Sequence, residues 1–507
     1  MEITSFFFLC FLAVVLFIYY LVPGKLQWMV LLATSVAFYL MSENGVLIVY
    51  PLIAVTVTWL SMRLLCKVDK KDIAKRRLVL ALEVLILLGI LVGLKYNNFI
   101  SSDSIIAPLG LSFYTFILLG YFLDVYNNIA EPEGNFFKTA LMGLYFPIMI
   151  SGPILRIRDL KKDFFDGHKL DYNNLTFGAQ RMLWGFFKEL VISERLGVIT
   201  NTVFGNDTQY TGAYIWVGAL AFTFQLYANF SGCMDIVIGI SEMFGLKLPE
   251  NFDIPFMTKS ISEYWRKWHI TLGEWMKEHV FYPLLRTQMI MKLGKVLRDK
   301  LGKKKGKQVT TYVAMFILWF SVGLWHGGAF KYVIGSGLLH WFYIVFGEVT
   351  LPFWTRLFGR LHINMKSRFA DGVRIVRTFF LVNIGNVFFR ADSVPHACRM
   401  LKEAVTTWNP QVLVNGSLFE LGLDWIDCTV TIVSIAILIC VSMYQLRLEK
   451  AAEAEGQTYD YHGVRRFIAS RNIVIRWIIL FAALFYVILL GQYGPGYSAT
   501  EFIYQNF

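Results

Sequence analysis

TTYVAMFILWFSVGLWHGGAF, residues 310–330, is the stretch whose reading decides the fold. From Thr310 to Leu324 it carries no charged residue, and it closes on Trp325-His326-Gly327-Gly328. A run this apolar reads as a membrane helix, and an ionisable group at its end is costly in lipid, so His326 is a candidate functional residue. The paired glycines let the backbone leave the helix and approach a bound molecule closely.

Similar runs recur near residues 6–22, 26–41, 45–65, 78–94, 105–123, 137–151, 213–228, 330–349, 374–389, 423–444 and 473–490. Over 507 residues, with 56% hydrophobic, 17% charged and a mean hydropathy of +0.52, they predict an all-α, polytopic membrane protein. A β-barrel needs short alternating segments in place of these long runs. We expect about ten to thirteen helices, some re-entrant or interfacial, because several runs fall short of the ~20 residues that cross a bilayer. No repeat or low-complexity linker divides the chain, so residues 1–507 read as a single integral-membrane domain. The run Phe6 to Val22 follows Glu2 and lacks a basic leader, as a first membrane helix does and a cleaved signal peptide does not.

The net charge of +12 sits between the apolar runs, where it sets topology and meets anionic lipid; this distribution argues against nucleic acid. Placing Lys67 to Arg77 inside leaves Met1-Glu2 and Ser42-Glu43-Asn44 outside. Lys303-Lys304-Lys305-Lys307 and Arg465 to Arg476 also suit the inside, the latter sending Phe507 outward. Arg156, Arg158, Lys161 and Lys162 join them only if the run 137–151 is re-entrant. The six cysteines are scattered and support neither a disulfide framework nor a metal cluster.

Ser262 to Val280 has a different pattern. Trp265, Trp268, Leu272, Trp275 and Met276 share one helical face, with Glu263, Arg266, Lys267, Glu274 and Lys277 opposite, which predicts an amphipathic helix at the membrane interface. His279 projects near the centre of its apolar face and His269 at the edge, where a solvated histidine is also at home. His340 reads as packing or interfacial; His168, His362, His396 and His462 sit in polar loop sequence.

Acyl transfer to a hydroxyl needs a base, an activated thioester and oxyanion stabilisation, and a histidine suits the first task. No GxSxG, HExxH or GxxxxGK[ST] stands in the sequence, which disfavours a nucleophile-elbow hydrolase, a zinc protease and a phosphate loop.

The ordered blocks APLGLSFYTFILLGYFLDVY (107–126), YFPIMISGPILR (145–156), WGFFKELVI (184–192), FQLYANFSGCMDIVIGISEMFGL (224–246), NFDIPFMTKSISEYWRKWHITLGEWMKEHVFYPL (251–284), LWHGGAF (324–330) and TFFLVNIGNVFFRADS (378–393) resemble the membrane-bound O-acyltransferases over nearly the whole chain. The FRADS block and GPGYSATEFIY near the carboxyl terminus are similar to the bacterial alginate O-acetylation branch; the teichoic-acid D-alanyl transfer proteins share the histidine blocks. The resemblance implies short helices around a tunnel, His326 as catalytic histidine and His269 as second signature residue. It implies Trp268, Trp325, Asn229, Ser231 and Asp235 as substrate-binding residues, although Asn229 stands where relatives commonly carry aspartate. It further implies no tightly bound cofactor or metal, with acetyl-CoA or another acyl thioester, free or on a carrier protein, as donor.

On that resemblance the chain is a multi-pass O-acetyltransferase of the bacterial cytoplasmic membrane. It would pass an acyl group to an extracytoplasmic cell-surface polysaccharide, or to a separate SGNH-hydrolase-like acetyltransferase partner. His326 would act as base and His269 would orient the donor. The rivals are D-alanyl transfer from a carrier protein to teichoic acid and a glycan-precursor transporter or flippase. A transporter should show inverted repeats with broken helices, and none is evident.

Overall fold

A computed structural model describes residues 3–42, 44–96, 107–327 and 329–493. Met1-Glu2, Glu43, Gly328, Phe507 and the GPGYSATEFIY segment lie outside the described residues. Within them the protein is all-helical, apart from the single bridge between Phe252 and Trp268.

Among the described residues, seven helices are long and apolar enough to cross a membrane: Gly45–Lys67, Ile73–Lys95, Lys303–His326, Phe330–Arg360, Arg368–Arg390, Trp425–Ala454 and Ile473–Leu490. Phe6–Leu21, Gly24–Leu40 and Leu111–Tyr126 are shorter apolar helices. Their starts are set by side chains that satisfy the first free backbone donors. Ser5 accepts from Phe8 N, Asp72 from Lys75 N, Asp424 from Asp427 N and Asn472 from Val474 N. The span Ile473–Leu490 buries almost nothing within the chain, so its apolar surface faces lipid.

The core is built on Ala213–Met243, a 31-residue helix whose side chains are mostly buried. Tyr172–Phe186 packs against it with the two chains running in opposite directions. Gly178 and Gly185 meet Gly239 and Gly232: a Cβ on Gly178 would lie 2.5 Å from Gly239 O, and one on Gly185 2.6 Å from Gly232 O. These four positions let the backbones approach as small residues do in membrane helix pairs.

The run 137–151 forms two short buried helices, Phe136–Leu144 and Phe146–Ser151, neither long enough to span. Re-entry there resolves the charge pattern. Arg158 pairs with Asp124 at 2.9 Å, and Arg76 donates to Tyr126 O at 2.7 Å on the same helix end, so both basic clusters lie at one end of the bundle.

Two expectations are corrected. Residues 262–280 are not one interfacial helix: Ile261–Lys267 and Ile270–Met276 are separated by a break at Trp268-His269, and a π-helical turn, Lys277–Phe281, follows. Most of the tryptophan face is buried in protein. Lys303, Lys304, Lys305 and Lys307 form the first turns of Lys303–His326, after the helix Gln288–Leu301. His396 likewise opens the helix Val394–Thr406 and lies 3.2 Å from Asp207.

Candidate active site

Lys303–His326 delivers His326 to the interior on its last residue, where the final carbonyls of a helix need partners. Lys95 donates from Nζ to Trp325 O and Tyr96 from its hydroxyl to Leu324 O, so the end of the span Ile73–Lys95 caps the histidine helix. Lys95 Nζ also lies 5.1 Å from the Trp325 ring centre. The chain then turns at Gly327, where a Cβ would lie 2.8 Å from the Tyr332 ring. His326 is buried against Trp325 and Phe389, with ring centres 4.9 and 5.5 Å away.

His269 reaches the same region from the broken helix. Its backbone is left-handed, φ +47 and ψ +54, a conformation that costs a non-glycine residue about 1–3 kcal/mol. Paired backbone hydrogen bonds hold it: Asp253 N to Lys267 O and Ile270 N to Asn251 O, each 3.0 Å. The kink turns the imidazole inward, and His269 is 1% exposed, so the edge of an amphipathic helix is not its environment.

Asn251 sets the chemistry of that ring. Its Oδ1 accepts from Thr271 N at 3.1 Å and Thr271 Oγ1 at 2.9 Å, and lies 3.1 Å from His269 Nδ1. A backbone N–H can only donate, so this atom is the amide oxygen and His269 Nδ1 carries the proton. Nε2 therefore carries the lone pair. Burial lowers the imidazole to about 3, which keeps it neutral at ordinary pH.

Trp325 joins the two histidines, its ring 5.6 Å from His269 and 4.9 Å from His326. Trp268 stacks on Tyr264 at 5.5 Å and lines a small cavity together with His326. The sequence-predicted set His326, His269, Trp268 and Trp325 is thus brought together.

Asn229, Ser231 and Asp235 sit elsewhere on Ala213–Met243. Asn229 donates to Glu189 Oε1 at 2.9 Å, Ser231 accepts from Lys188 at 2.9 Å, and Asp235 pairs with Lys188 at 2.5 Å and Arg181 at 3.0 Å. Arg181 also forks onto Glu250. Ser231 and Asp235 line a second cavity of about 430 Å³, whose wall includes Asn251 at one place and Tyr459, Tyr461 and Arg465 at another. Arg465 belongs to the cluster that the charge pattern places inside. Asn251 thus fronts this cavity while holding His269. Sequence reasoning missed Asn251, although it opens the NFDIPF block; His279 packs on Trp275, ring centres 5.0 Å apart, away from the His326 cavity.

The model of MBOAT, the membrane-bound O-acyltransferase family, matches residues 134–390, which contain both histidines. The chain is 31% identical to the "Probable alginate O-acetylase AlgI" of Pseudomonas aeruginosa, over 80% of this chain and 75% of that protein. It is 28% identical to the peptidoglycan O-acetyltransferase of Helicobacter pylori, over 66% and 65%. With the teichoic acid D-alanyltransferase of Bacillus subtilis it shares 26% identity over 58% and 71%. The chain belongs to the membrane-bound O-acyltransferase family, as a multi-pass membrane acyltransferase.

Proposed function

We propose that this chain is an O-acetyltransferase of the bacterial cytoplasmic membrane. It moves an acetyl group from a cytosolic thioester donor, acetyl-CoA or an acyl carrier protein, to an extracytoplasmic cell-surface glycan or to an SGNH-hydrolase-like partner enzyme. The observation that carries this reading is the placement of two buried histidines, His326 and His269, against a shared tryptophan, with one cavity lined by Asn251 and another lined by His326. The larger cavity, near Tyr459 and Tyr461, suits the apolar arm and acyl end of a thioester. The smaller one holds His326.

His326 acts as general base on the attacking hydroxyl, and its position in a dry site strengthens every polar contact made there. His269, with its lone pair on Nε2, orients the donor. Trp268 and Trp325 shape the reacting volume, while Ser231 and Asp235 contribute to the donor side through the Arg181 and Lys188 network. D-alanyl transfer is the second reading, favoured by the relative from Bacillus subtilis.

The test is mass spectrometry of surface polymers from a deletion strain complemented with wild type or His326→Ala. We expect an O-acetyl ester to vanish in the deletion strain, return with wild type and stay absent with the variant, since losing a positioned base costs ~10²- to 10⁴-fold. Loss of D-alanyl ester selects the second reading. Full esterification with His326→Ala refutes the catalytic assignment.

A further inference from the structure

The small cavity around His326 contains three buried polar atoms with no hydrogen-bond partner among the described residues: Ser336 Oγ, His340 Nδ1 and Trp265 Nε1. Ser336 and His340 are 5% and 4% exposed. An unmade hydrogen bond at a buried group costs ~1–3 kcal/mol, and natural structures rarely leave several together unless something else satisfies them. They come from two helices that meet here, Ser336 and His340 lying one turn apart on the span Phe330–Arg360. Trp265 comes from Ile261–Lys267, Ser336 from the π-helical turn Val333–Leu338, and His340 from Leu339–Arg360.

The surroundings keep these atoms available. The ring centres of Trp265 and His340 are 4.9 Å apart in an edge-to-face arrangement. Gly385 faces the other side of His340, where a Cβ would stand 3.0 Å from Nε2, and a Cβ at Gly335 would strike Phe388 Cβ at 2.4 Å. The π turn adds a residue to the helix and so changes the direction in which Ser336 points; such turns occur frequently at functional sites.

Their chemistry restricts the occupant. An indole N–H can only donate, a serine hydroxyl can donate, and a histidine Nδ1 donates in one tautomer. An oxygen with lone pairs and no proton satisfies all three. Aromatic walls from Trp268, Tyr264 and Phe389 leave room for a small group only.

We propose that Ser336 and His340, assisted by Trp265, receive the carbonyl oxygen of the transferred acyl group and hold it as the oxyanion during attack. This inference rests on the acyl-transfer reading of His326. The hydroxyl oxygen of the acceptor bonds to the carbonyl carbon, its proton passes to His326, and the carbonyl electron pair moves onto the oxygen held by the three donors. Collapse restores the carbonyl and breaks the carbon–sulfur bond. The departing thiolate takes the proton back from His326, so that an ester and a thiol leave.

The experiment compares Ser336→Ala, His340→Phe, Ser336→Thr and His326→Ala in the full-length protein. It reads ester content of surface polymer in the complemented deletion strain, with CoA release from acetyl-CoA in proteoliposomes giving kcat and KM. Ser336→Ala and His340→Phe should each lower kcat about 10²- to 10³-fold with little change in KM, the usual cost of one oxyanion donor. Ser336→Thr, which keeps the hydroxyl, should recover most of the rate. His340→Phe preserves the ring, and Ser336→Ala removes a single hydroxyl, so Ser336→Ala decides if the larger change impairs assembly. If Ser336→Ala stays within threefold of wild type, in ester content and in kcat, or if its effect is confined to KM, the inference is overturned. An active His326→Ala protein would instead overturn the acyl-transfer reading beneath it.

Discussion

Replacing Asn251 with alanine tests whether the polar wall is what holds His269 in place. Asn251 Oδ1 accepts from Thr271 N and Thr271 Oγ1 and, by the proton assignment above, from His269 Nδ1. Asn251→Ala strands those donors in a site where Asn251, His269 and Thr271 are all buried. At ~1 kcal/mol or more for each lost bond, the penalty is about 3 kcal/mol, before any release of the left-handed kink. We expect a lower melting temperature in detergent and at least a 100-fold fall in acyl transfer. Asn251→Asp keeps the oxygen and should preserve the fold, but its negative charge favours the imidazolium and raises His269 from its depressed value. Transfer by that variant should gain an acid limb absent from wild type. In wild type the folded ring resists protonation, so stability is full above the unfolded value of about 6.5 and falls by ~1.4 kcal/mol per pH unit below it, until the folded pKa is reached. Melting temperature and transfer rate measured from pH 5 to 8 provide the check. An Asn251→Ala protein with unchanged melting and turnover would refute the argument.

His269→Ala should reduce transfer more than His279→Ala, because His279 packs on Trp275 outside the His326 cavity; equal turnover of the two variants would return both to packing roles. Neutralising Lys303, Lys304, Lys305 and Lys307 removes positive charge from the positive end of a helix, so the helix should tolerate the change. If these lysines attract the donor's phosphates, apparent donor KM rises and the rise shrinks at high salt; unchanged KM in correctly inserted protein leaves them as a topology signal. Asn229→Asp sets a second carboxyl group against buried Glu189, so one of the two must hold a proton; we expect lower melting temperature that recovers with Glu189→Gln.

The spans were legible because lipid imposes a plain rule, and Ile473–Leu490 coincides with its apolar run. The re-entrant pair at 136–151 was legible for a related reason: Arg156 and Arg158 could share an end with Lys67 to Arg77 only if that run turned back. The kink at His269 was hidden. A helical wheel assumes continuity through residues 262–280, whereas the Phe252–Trp268 bridge and Asn251 come from the strand-like approach at residues 251–254. Tertiary hydrogen bonds outweighed local helix propensity there, and they also turned His269 from a solvated edge into a buried ring. His340 looked like packing because its polar surroundings depend on Trp265, which a separate helix brings to it, and on a π turn that re-aims Ser336 one turn before it.

The distribution of charge inside the protein follows a division of labour. Arg181, Lys188, Asp235 and Glu250 are tightly paired beside the larger cavity, and such a group is costly to bury but costlier to break, since losing one partner leaves an uncompensated charge. Among the described residues, the lining around His326 contains histidine, serine, asparagine and tryptophan and no acidic side chain. A carboxylate there would oppose an oxyanion, whereas neutral donors favour it. Pairing the full charges beside one cavity and lining the other with neutral donors lets one bundle carry polar chemistry through an apolar interior. At Asn229 the same pairing holds, because Glu189 supplies a carboxyl group and Asn229 donates the hydrogen bond that it accepts.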